Sequence, residues 1–202
     1  SGSVALNADV IVSPDKNKVI SFYPNPMFLG HASYLMIDIS EILYPQILIY
    51  DILGSEIGGA VKNVIAIAAG ICNSFEVGDN AMAALVTRGL EEIKRLGVEL
   101  GAQKETFSGL SGLGDLVATC FSDFSRNKRC GELIAKGYSI NDIRSKIGME
   151  IEGISTSEKL FLLSERFKIE MPIITEVYKI IYEGKDPQKS IQGLMSRSLS
   201  RE

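Results

Sequence analysis

The sequence predicts a mainly α-helical protein in which a short strand-rich segment precedes a long series of helices. After residue 53, apolar residues recur every three or four positions, and glycines or prolines separate the periodic stretches. Before residue 53, short β-branched and aromatic runs alternate with prolines, as is typical of strands and turns. We therefore expect two parts, a strand-rich α/β part at residues 1–53 and an all-helical part at residues 54–202.

The first part contains three candidate strands and one candidate helix. The strands are expected at residues 4–13, 19–23 and 45–50, where β-branched or aromatic residues cluster. The helix is expected at residues 32–43.

The second part is predicted to hold eight helices. They are expected at residues 55–74, 79–100, 111–120, 125–136, 140–147, 153–167, 172–183 and 187–197. The first carries glycines and alanines on several faces, which indicates a central helix with close neighbours. The second has a core face and a solvent face. The core face is predicted to be Leu85, Leu90, Ile93 and Leu96, and the solvent face Arg88, Glu91, Glu92 and Lys94.

Composition excludes several functional classes. A net charge of -4 without a long basic run argues against nucleic acid as a partner, and the longest apolar run is about half of a membrane span. With His31 as the only histidine, we expect no metal site. Cys72, Cys120 and Cys130 lack CxxC spacing, which favours free thiols and a cytoplasmic location.

Lys62 lies in an otherwise apolar stretch of small residues, from Glu56 to Gly70. A lysine in such surroundings loses its charge readily, so it can exchange a proton with a substrate oxygen near neutral pH. The alternative is that Lys62 extends its ammonium to water along the helix surface. The local sequence leaves both open.

Asp115 and Thr119 lie four positions apart after a glycine-rich turn. On a helix they share a face, where they can bind a polyhydroxy ligand or hold the ammonium of Lys62. The alternative places Asp115 in a first turn favoured by the helix dipole, with Thr119 bonded to its own helix. Gly112 and Gly114 are too few to indicate a dinucleotide site.

Ser125, Arg126 and Asn127 form the second polar cluster. Ser125 is a favourable N-cap, so the backbone donors of the next turn and the Arg126 guanidinium are expected to converge on an anion of phosphate size. The neighbouring Lys128 and Arg129 are expected to add positive potential. The alternative is a capped surface helix with solvated basic residues. Glu152, before a later helix, is able to accept from ribose or amide groups but indicates little alone.

Seven motifs occur in a fixed order along the second part. They are Glu56-Ile-Gly-Gly-Ala-Val-Lys-Asn, Gly78-Asp-Asn-Ala-Met-Ala-Ala-Leu-Val-Thr-Arg-Gly-Leu, Gly112-Leu-Gly-Asp-Leu-Val-Ala-Thr-Cys, Ser125-Arg-Asn-Lys-Arg, Glu152-Gly-Ile-Ser-Thr, Met171-Pro-Ile and Tyr182-Glu-Gly-Lys-Asp-Pro. Together they closely resemble the C-terminal portion of the bacterial NAD(P)-dependent sn-glycerol-3-phosphate dehydrogenases. The resemblance covers nearly everything after residue 54.

The resemblance implies a helical domain of the 6-phosphogluconate dehydrogenase-like type, preceded by a remnant of a Rossmann cofactor domain at residues 1–53. It implies interconversion of sn-glycerol 3-phosphate and dihydroxyacetone phosphate with NAD or NADP, in the cytoplasm, for glycerophospholipid synthesis. It also allows a homodimer. The charge and the short apolar run predict no nucleic-acid partner and no membrane insertion.

Site roles follow from the resemblance residue by residue. Lys62 matches the proton donor and acceptor, and Asp115 matches an aspartate of the substrate site. The phosphate-binding run corresponds to Ser125, Arg126 and Asn127, with Thr119 as a secondary substrate residue. The cofactor side is matched by Arg126, Glu152 and, less closely, Glu150.

One departure limits what the resemblance implies. The family's glycine-rich cofactor fingerprint and the upstream part of its substrate site do not occur in these 202 residues. We therefore expect the chain alone to bind nicotinamide cofactor weakly or not at all. Two alternatives stay open: an inactive helical module that self-associates, and a related two-domain hydroxyacid dehydrogenase.

Overall fold

The computed structural model describes residues 3–6, 9–12, 21–23, 33–36, 47–50 and 52–196. The chain divides into two compact units, residues 1–53 and 54–202. We describe each by itself.

The first unit contains two small antiparallel sheets. The strands are β1 (Ser3–Leu6), β2 (Asp9–Val12), β3 (Ser21–Tyr23), β4 (Ser33–Met36) and β5 (Ile47–Tyr50). One sheet has the order β1-β4-β3 and the other pairs β2 with β5. In the first sheet Leu35 lies opposite both Val4 and Phe22.

The expected helix at residues 32–43 is wrong where the structure describes it. Ser33–Met36 form β4, which pairs on both sides, and these two ladders satisfy its backbone groups in place of a helix. Residues 37–46 lie outside the described residues. The strands expected at 19–23 and 45–50 are confirmed for 21–23 and 47–50, and the one expected at 4–13 is two strands. The origin of this unit as a cofactor-domain remnant stays a prediction, and its strands pair antiparallel, whereas a Rossmann sheet is mostly parallel.

The second unit is all-helical, as predicted. Its α-helices are α1 (Ile52–Ser74), α2 (Asp79–Glu99), α3 (Asp115–Phe121), α4 (Arg126–Ala135), α5 (Ile140–Ile147), α6 (Glu152–Phe167), α7 (Pro172–Tyr182) and α8 (Pro187–Ser196). The sequence did not predict a 3₁₀ helix at Lys104–Ser108 or a π-helical turn at Leu110–Gly114. The helix expected at 111–120 therefore begins as this turn and becomes α-helical only at Asp115.

Helix α1 is the centre of this unit, as its small residues indicate. Its residues from Val64 to Ala69 are fully buried. The segment Glu56–Ser74 is long and apolar enough to cross a membrane, but 67% of its most apolar window is buried inside the protein. Burial by neighbouring helices accounts for that apolar character.

Two glycines let the backbones of α1 and α4 touch. A Cβ atom at Gly70 would lie 1.9 Å from the carbonyl oxygen of Lys128, and one at Gly131 would lie 1.9 Å from the carbonyl oxygen of Ile67. Gly153, near the start of α6, is similarly close, since its Cβ would lie 2.8 Å from the carbonyl oxygen of Asn63. Helices α4 and α6 therefore both meet α1 at distances that no larger residue allows.

Glu92 corrects the predicted faces of α2. The sequence placed it on the solvent face, but it is fully buried. Its carboxylate accepts from the backbone nitrogens of Ile173 at 2.7 Å and Ile174 at 3.3 Å. These donors belong to the first turn of α7, whose own N-cap position, Met171, supplies no side-chain bond. A cap from another helix leaves no local trace in the sequence.

We predict that Gly131→Ala destabilises the protein by about 1–3 kcal/mol, because the added methyl forces α1 and α4 apart. Gly193→Ala is the matched control, since Gly193 lies in α8 and a Cβ atom added there would meet no atom within 4 Å. There the change is expected to stabilise the helix by up to about 1 kcal/mol. Urea unfolding followed by circular dichroism measures both. Equal effects at the two positions would contradict the close crossing.

Candidate functional site

Lys62 and Asp115 form the central ion pair of the candidate site. The ammonium of Lys62, on α1, donates to Oδ2 of Asp115, the first residue of α3. The side chains are 22% and 40% exposed, respectively. Lys62 is thus neither sealed in apolar surroundings nor extended into water. It is a fixed donor, paired with a carboxylate that a ligand can reach.

The turn before α3 places Asp115. A Cβ at Gly112 would lie 2.2 Å from the carbonyl oxygen of Phe107, so the π-helical turn packs directly on that backbone. Phe107 is itself fully buried, with its ring filling the space where Gly97 lacks a side chain. Because this turn is anchored, Asp115 begins α3 at a defined place beside α1. Single π-helical turns are frequent at functional sites.

A chain of side-chain hydrogen bonds joins the starts of α4 and α6 to α1. Asn127 donates from Nδ2 to Oδ1 of Asn63 at 3.0 Å and accepts the backbone N–H of Gly153 at 3.0 Å on its own Oδ1. Asn63 in turn donates from Nδ2 to Oε2 of Glu152 at 3.1 Å. Both asparagines are buried, so the bonds of Asn127 to Asn63 and to Gly153 are shielded from water, whereas the bond from Asn63 to Glu152 reaches the surface.

Arg126 and Glu152 lie at the exposed edge of this network. Arg126 donates from one guanidinium nitrogen to the backbone carbonyl of Glu150 at 2.9 Å. A second guanidinium nitrogen lies 4.0 Å from Oε1 of Glu152. Both glutamates expected on the cofactor side therefore contact Arg126, Glu152 through its carboxylate and Glu150 through its backbone carbonyl.

The N-cap predicted at Ser125 is confirmed. Its hydroxyl accepts the backbone N–H of Lys128 at 3.3 Å, and α4 begins at the next residue. The cap fixes where the free donors of the first turn point. Ser125, Arg126 and Asn127 thus begin the helix whose side chains contact α1 and α6.

Thr119 does not join the cluster. Its hydroxyl donates to the backbone carbonyl of Asp115 at 2.6 Å, which is the self-bonded alternative. A substrate contact by Thr119 would require this bond to be exchanged.

Lys128 does not add the expected positive potential beside Arg126. It is 6% exposed, and its ammonium donates to the carbonyl of Phe121 at 3.2 Å and to Oδ1 of Asp123 at 2.8 Å. The bond from Lys128 holds the pKa of the Asp123 carboxyl below its ordinary value. Lys62 and Arg126 are the positive groups whose contacts join them to the other site residues, and Arg129 is exposed on α4.

Asn63 is the residue of the candidate site that the sequence interpretation missed. It follows Lys62 in an apolar helix, and a buried amide among valines and isoleucines needs hydrogen-bond partners. This pattern can be recognised in the sequence. It identifies a buried polar contact but not the residues that make it.

Comparison with known proteins assigns the second unit to a family. The family described as the C-terminus of NAD-dependent glycerol-3-phosphate dehydrogenase matches residues 51–192. A glycerol-3-phosphate dehydrogenase [NAD(P)+] of Bacillus pumilus is 48% identical over 152 residues, which are 75% of this chain and 44% of that protein. A Thermoanaerobacter relative of the same name is 50% identical, over 75% of this chain and 46% of its own.

A solved structure agrees with these sequence matches. The crystal structure of glycerol-3-phosphate dehydrogenase from Coxiella burnetii matches with a TM-score of 0.71 and 43% identity, covering 73% of this chain and 45% of that one. The chain therefore spans less than half the length of the relatives it matches.

We predict that Asn127→Ala destabilises the protein by about 1–3 kcal/mol, because the backbone N–H of Gly153 and the side chain of Asn63 lose a buried partner. Asn73→Ala is the control, since Asn73 is an exposed residue of α1 that bonds only at the surface, to Glu132. There the expected change is within about 0.5 kcal/mol. Thermal unfolding compares the two. A cost at position 127 no larger than at 73 would refute the network.

Proposed function

This chain belongs to the NAD-dependent glycerol-3-phosphate dehydrogenase family through the C-terminal domain of that family, and we propose that it supplies the substrate half of such an enzyme. The reaction is the reversible interconversion of sn-glycerol 3-phosphate and dihydroxyacetone phosphate, with NAD or NADP as cofactor. The observation that carries this proposal is the ion pair of Lys62 and Asp115 beside the capped start of α4.

The substrate phosphate binds at the start of α4. A helix N-terminus favours an anion through its free backbone donors and dipole, and Arg126 adds a forked cation at the same turn. The Asn127 amide carries two hydrogens, of which the bond to Asn63 uses one, so a second is left for a phosphate oxygen. Ser125 supports this arrangement as the cap. The phosphate ester is thus the ligand that this part of the site fits.

Lys62 transfers the proton at the reacting carbon. In the direction of reduction, its ammonium gives a proton to the carbonyl oxygen of dihydroxyacetone phosphate as that oxygen gains negative charge. In the reverse direction, the neutral amine takes the hydroxyl proton of glycerol 3-phosphate. Asp115 accepts a hydrogen bond from the ammonium and so orients it. The nicotinamide cofactor, when bound, supplies or receives the hydride.

The cofactor side of this chain fits a ribose or amide group. Glu152 presents a carboxylate that is 61% exposed, and the Arg126 guanidinium beside it is 38% exposed. Asn63 links Glu152 to the helix that carries Lys62, so the cofactor and substrate groups share one support. Since the glycine-rich fingerprint is not among these residues, we propose that this chain alone holds the cofactor weakly.

The cellular setting follows from the same proposal. Glycerol 3-phosphate is the product in the direction of reduction, which feeds glycerophospholipid synthesis. Cys72, Cys120 and Cys130 are free and buried, which suits a reducing cytoplasm. A homodimer is part of the proposal.

The alternative is an inactive helical module that self-associates. It is favoured by the exposed apolar side chains of Leu110 and Phe124, which are 90% and 94% exposed, and of Phe121. The two proposals differ in turnover. The module gives none with saturating cofactor and a cofactor domain present.

We predict that Lys62→Ala lowers kcat about 10²–10⁴-fold, because the reaction loses its proton donor. The assay joins this chain to the cofactor domain of the Bacillus pumilus relative and follows NADH oxidation with dihydroxyacetone phosphate. Lys136→Ala is the control, because Lys136 is an exposed lysine that ends α4. Turnover that survives in Lys62→Ala would overturn the role of Lys62. A folded parent fusion without turnover would favour the module.

A further inference from the structure

A separate cavity lies at the C-terminal end of α1, away from Lys62. It has a volume of about 300 Å³ and is bounded by the end of α1, the start of α2, the end of α3 and Lys128. Cys72, which lines it, is ten residues further along α1 than Lys62, or roughly 15 Å at the rise of an α-helix. The cavity is therefore distinct from the proposed substrate site.

Three of the residues that line this cavity carry a sulfur atom. Cys72 comes from α1, Met82 from α2 and Cys120 from α3. Both cysteines are fully buried and Met82 is 8% exposed. Three different helices thus bring sulfur-containing residues to one cavity, although Cys72 and Cys120 are almost fifty residues apart in the sequence.

The surroundings select for a soft ion. Burial raises the pKa of both Cys72 and Cys120 to about 12, so at neutral pH they are protonated thiols and poor nucleophiles. The third donor is a thioether, which hard cations avoid and which copper(I) accepts. Among the described residues, no group of three or more His, Cys, Asp or Glu is placed to hold a metal ion. A site here depends on Met82 as a ligand.

Lys128 carries a charge opposite to the net charge of a monovalent metal ion bound by two thiolates. A monovalent cation held by two thiolates leaves a net charge of one negative unit. Burial and then Cys72 raise the pKa of Cys120, and the ammonium of Lys128, which lines the same cavity, acts in the opposite direction. Lys128 also donates to the exposed carboxylate of Asp123, so its positive charge is shared between that carboxylate and the charge that coordination creates.

We propose that Cys72, Met82 and Cys120 form a binding site for a soft monovalent cation of the copper(I) or silver(I) class. Two metal–sulfur bonds form as two S–H bonds break, and both protons pass to the solvent. The thioether of Met82 adds a third, weaker bond. No oxidation or reduction takes place.

Silver(I) tests the site without a reductant. The 202-residue chain is titrated with silver nitrate by calorimetry in chloride-free buffer at pH 7, and in two buffers of different ionisation enthalpy. The expected result is one tight equivalent with release of two protons per ion. Cys72→Ser and Cys120→Ser are each expected to weaken it by more than about 10-fold. Met82→Leu preserves volume and is expected to weaken it less.

Cys130→Ser is the matched control. Cys130 is equally buried, and burial also raises its pKa to about 12, but it does not line this cavity. Circular dichroism establishes that each variant is folded. The proposal is overturned if the folded chain binds no silver, or if Cys130→Ser weakens binding as much as Cys120→Ser does. It is also overturned if Met82→Leu and both cavity cysteine variants bind as the parent does.

Discussion

The contact between the backbones of α1 and α4 is the constraint on which the rest of the site depends. Gly70 and Gly131 each approach a carbonyl oxygen of the other helix more closely than any side chain permits. With that crossing fixed, the first turn of α4 lies beside Asn63, and Gly153 brings the first turn of α6 to the same place. Glycine is therefore required here for close approach rather than for a special backbone angle.

The candidate site combines buried amides, which hold the helices together, with exposed charged groups, which a ligand can reach. Asn63 and Asn127 are buried and hold α1, α4 and α6 together through hydrogen bonds that water does not replace. Arg126 and Glu152 are reachable from solvent. Glu152 is tied to that buried support by the bond from Asn63, and Arg126 is held by the exposed backbone carbonyl of Glu150. Pre-organised support of this kind lets charged groups meet a ligand without first being reordered.

The sequence predicted the features that depend on neighbouring residues. Helical periodicity located the eight α-helices that the structure describes in the second unit, and the Ser125 cap followed from its own turn. It failed where distant residues decide the outcome. Glu92 caps a helix eighty residues away, and Lys128 turns inward to Asp123 rather than toward the anion site. The segment Ser33–Met36 is a strand because β1 and β3 flank it.

In the candidate site, too, the sequence predicted features set by neighbouring residues and missed contacts between distant ones. The pairing of Lys62 with Asp115 was one of two alternatives that the sequence left open, because residue spacing fixes a helix face but not the neighbour it contacts. The bond between Asn63 and Asn127 was not predicted at all. Roles in catalysis entered through the family resemblance, and the geometry supplies the physical basis on which they are proposed.

The most direct test of this account is calorimetric titration of the 202-residue chain with sn-glycerol 3-phosphate at low ionic strength. The account predicts binding of the phosphate ester that is lost in Arg126→Ala and kept in Lys136→Ala, in which an exposed lysine just after the far end of the same helix is removed. Binding that persists without Arg126 would contradict it, and so would a folded chain that binds no phosphate ester, because the start of α4 would then not be a preformed anion site.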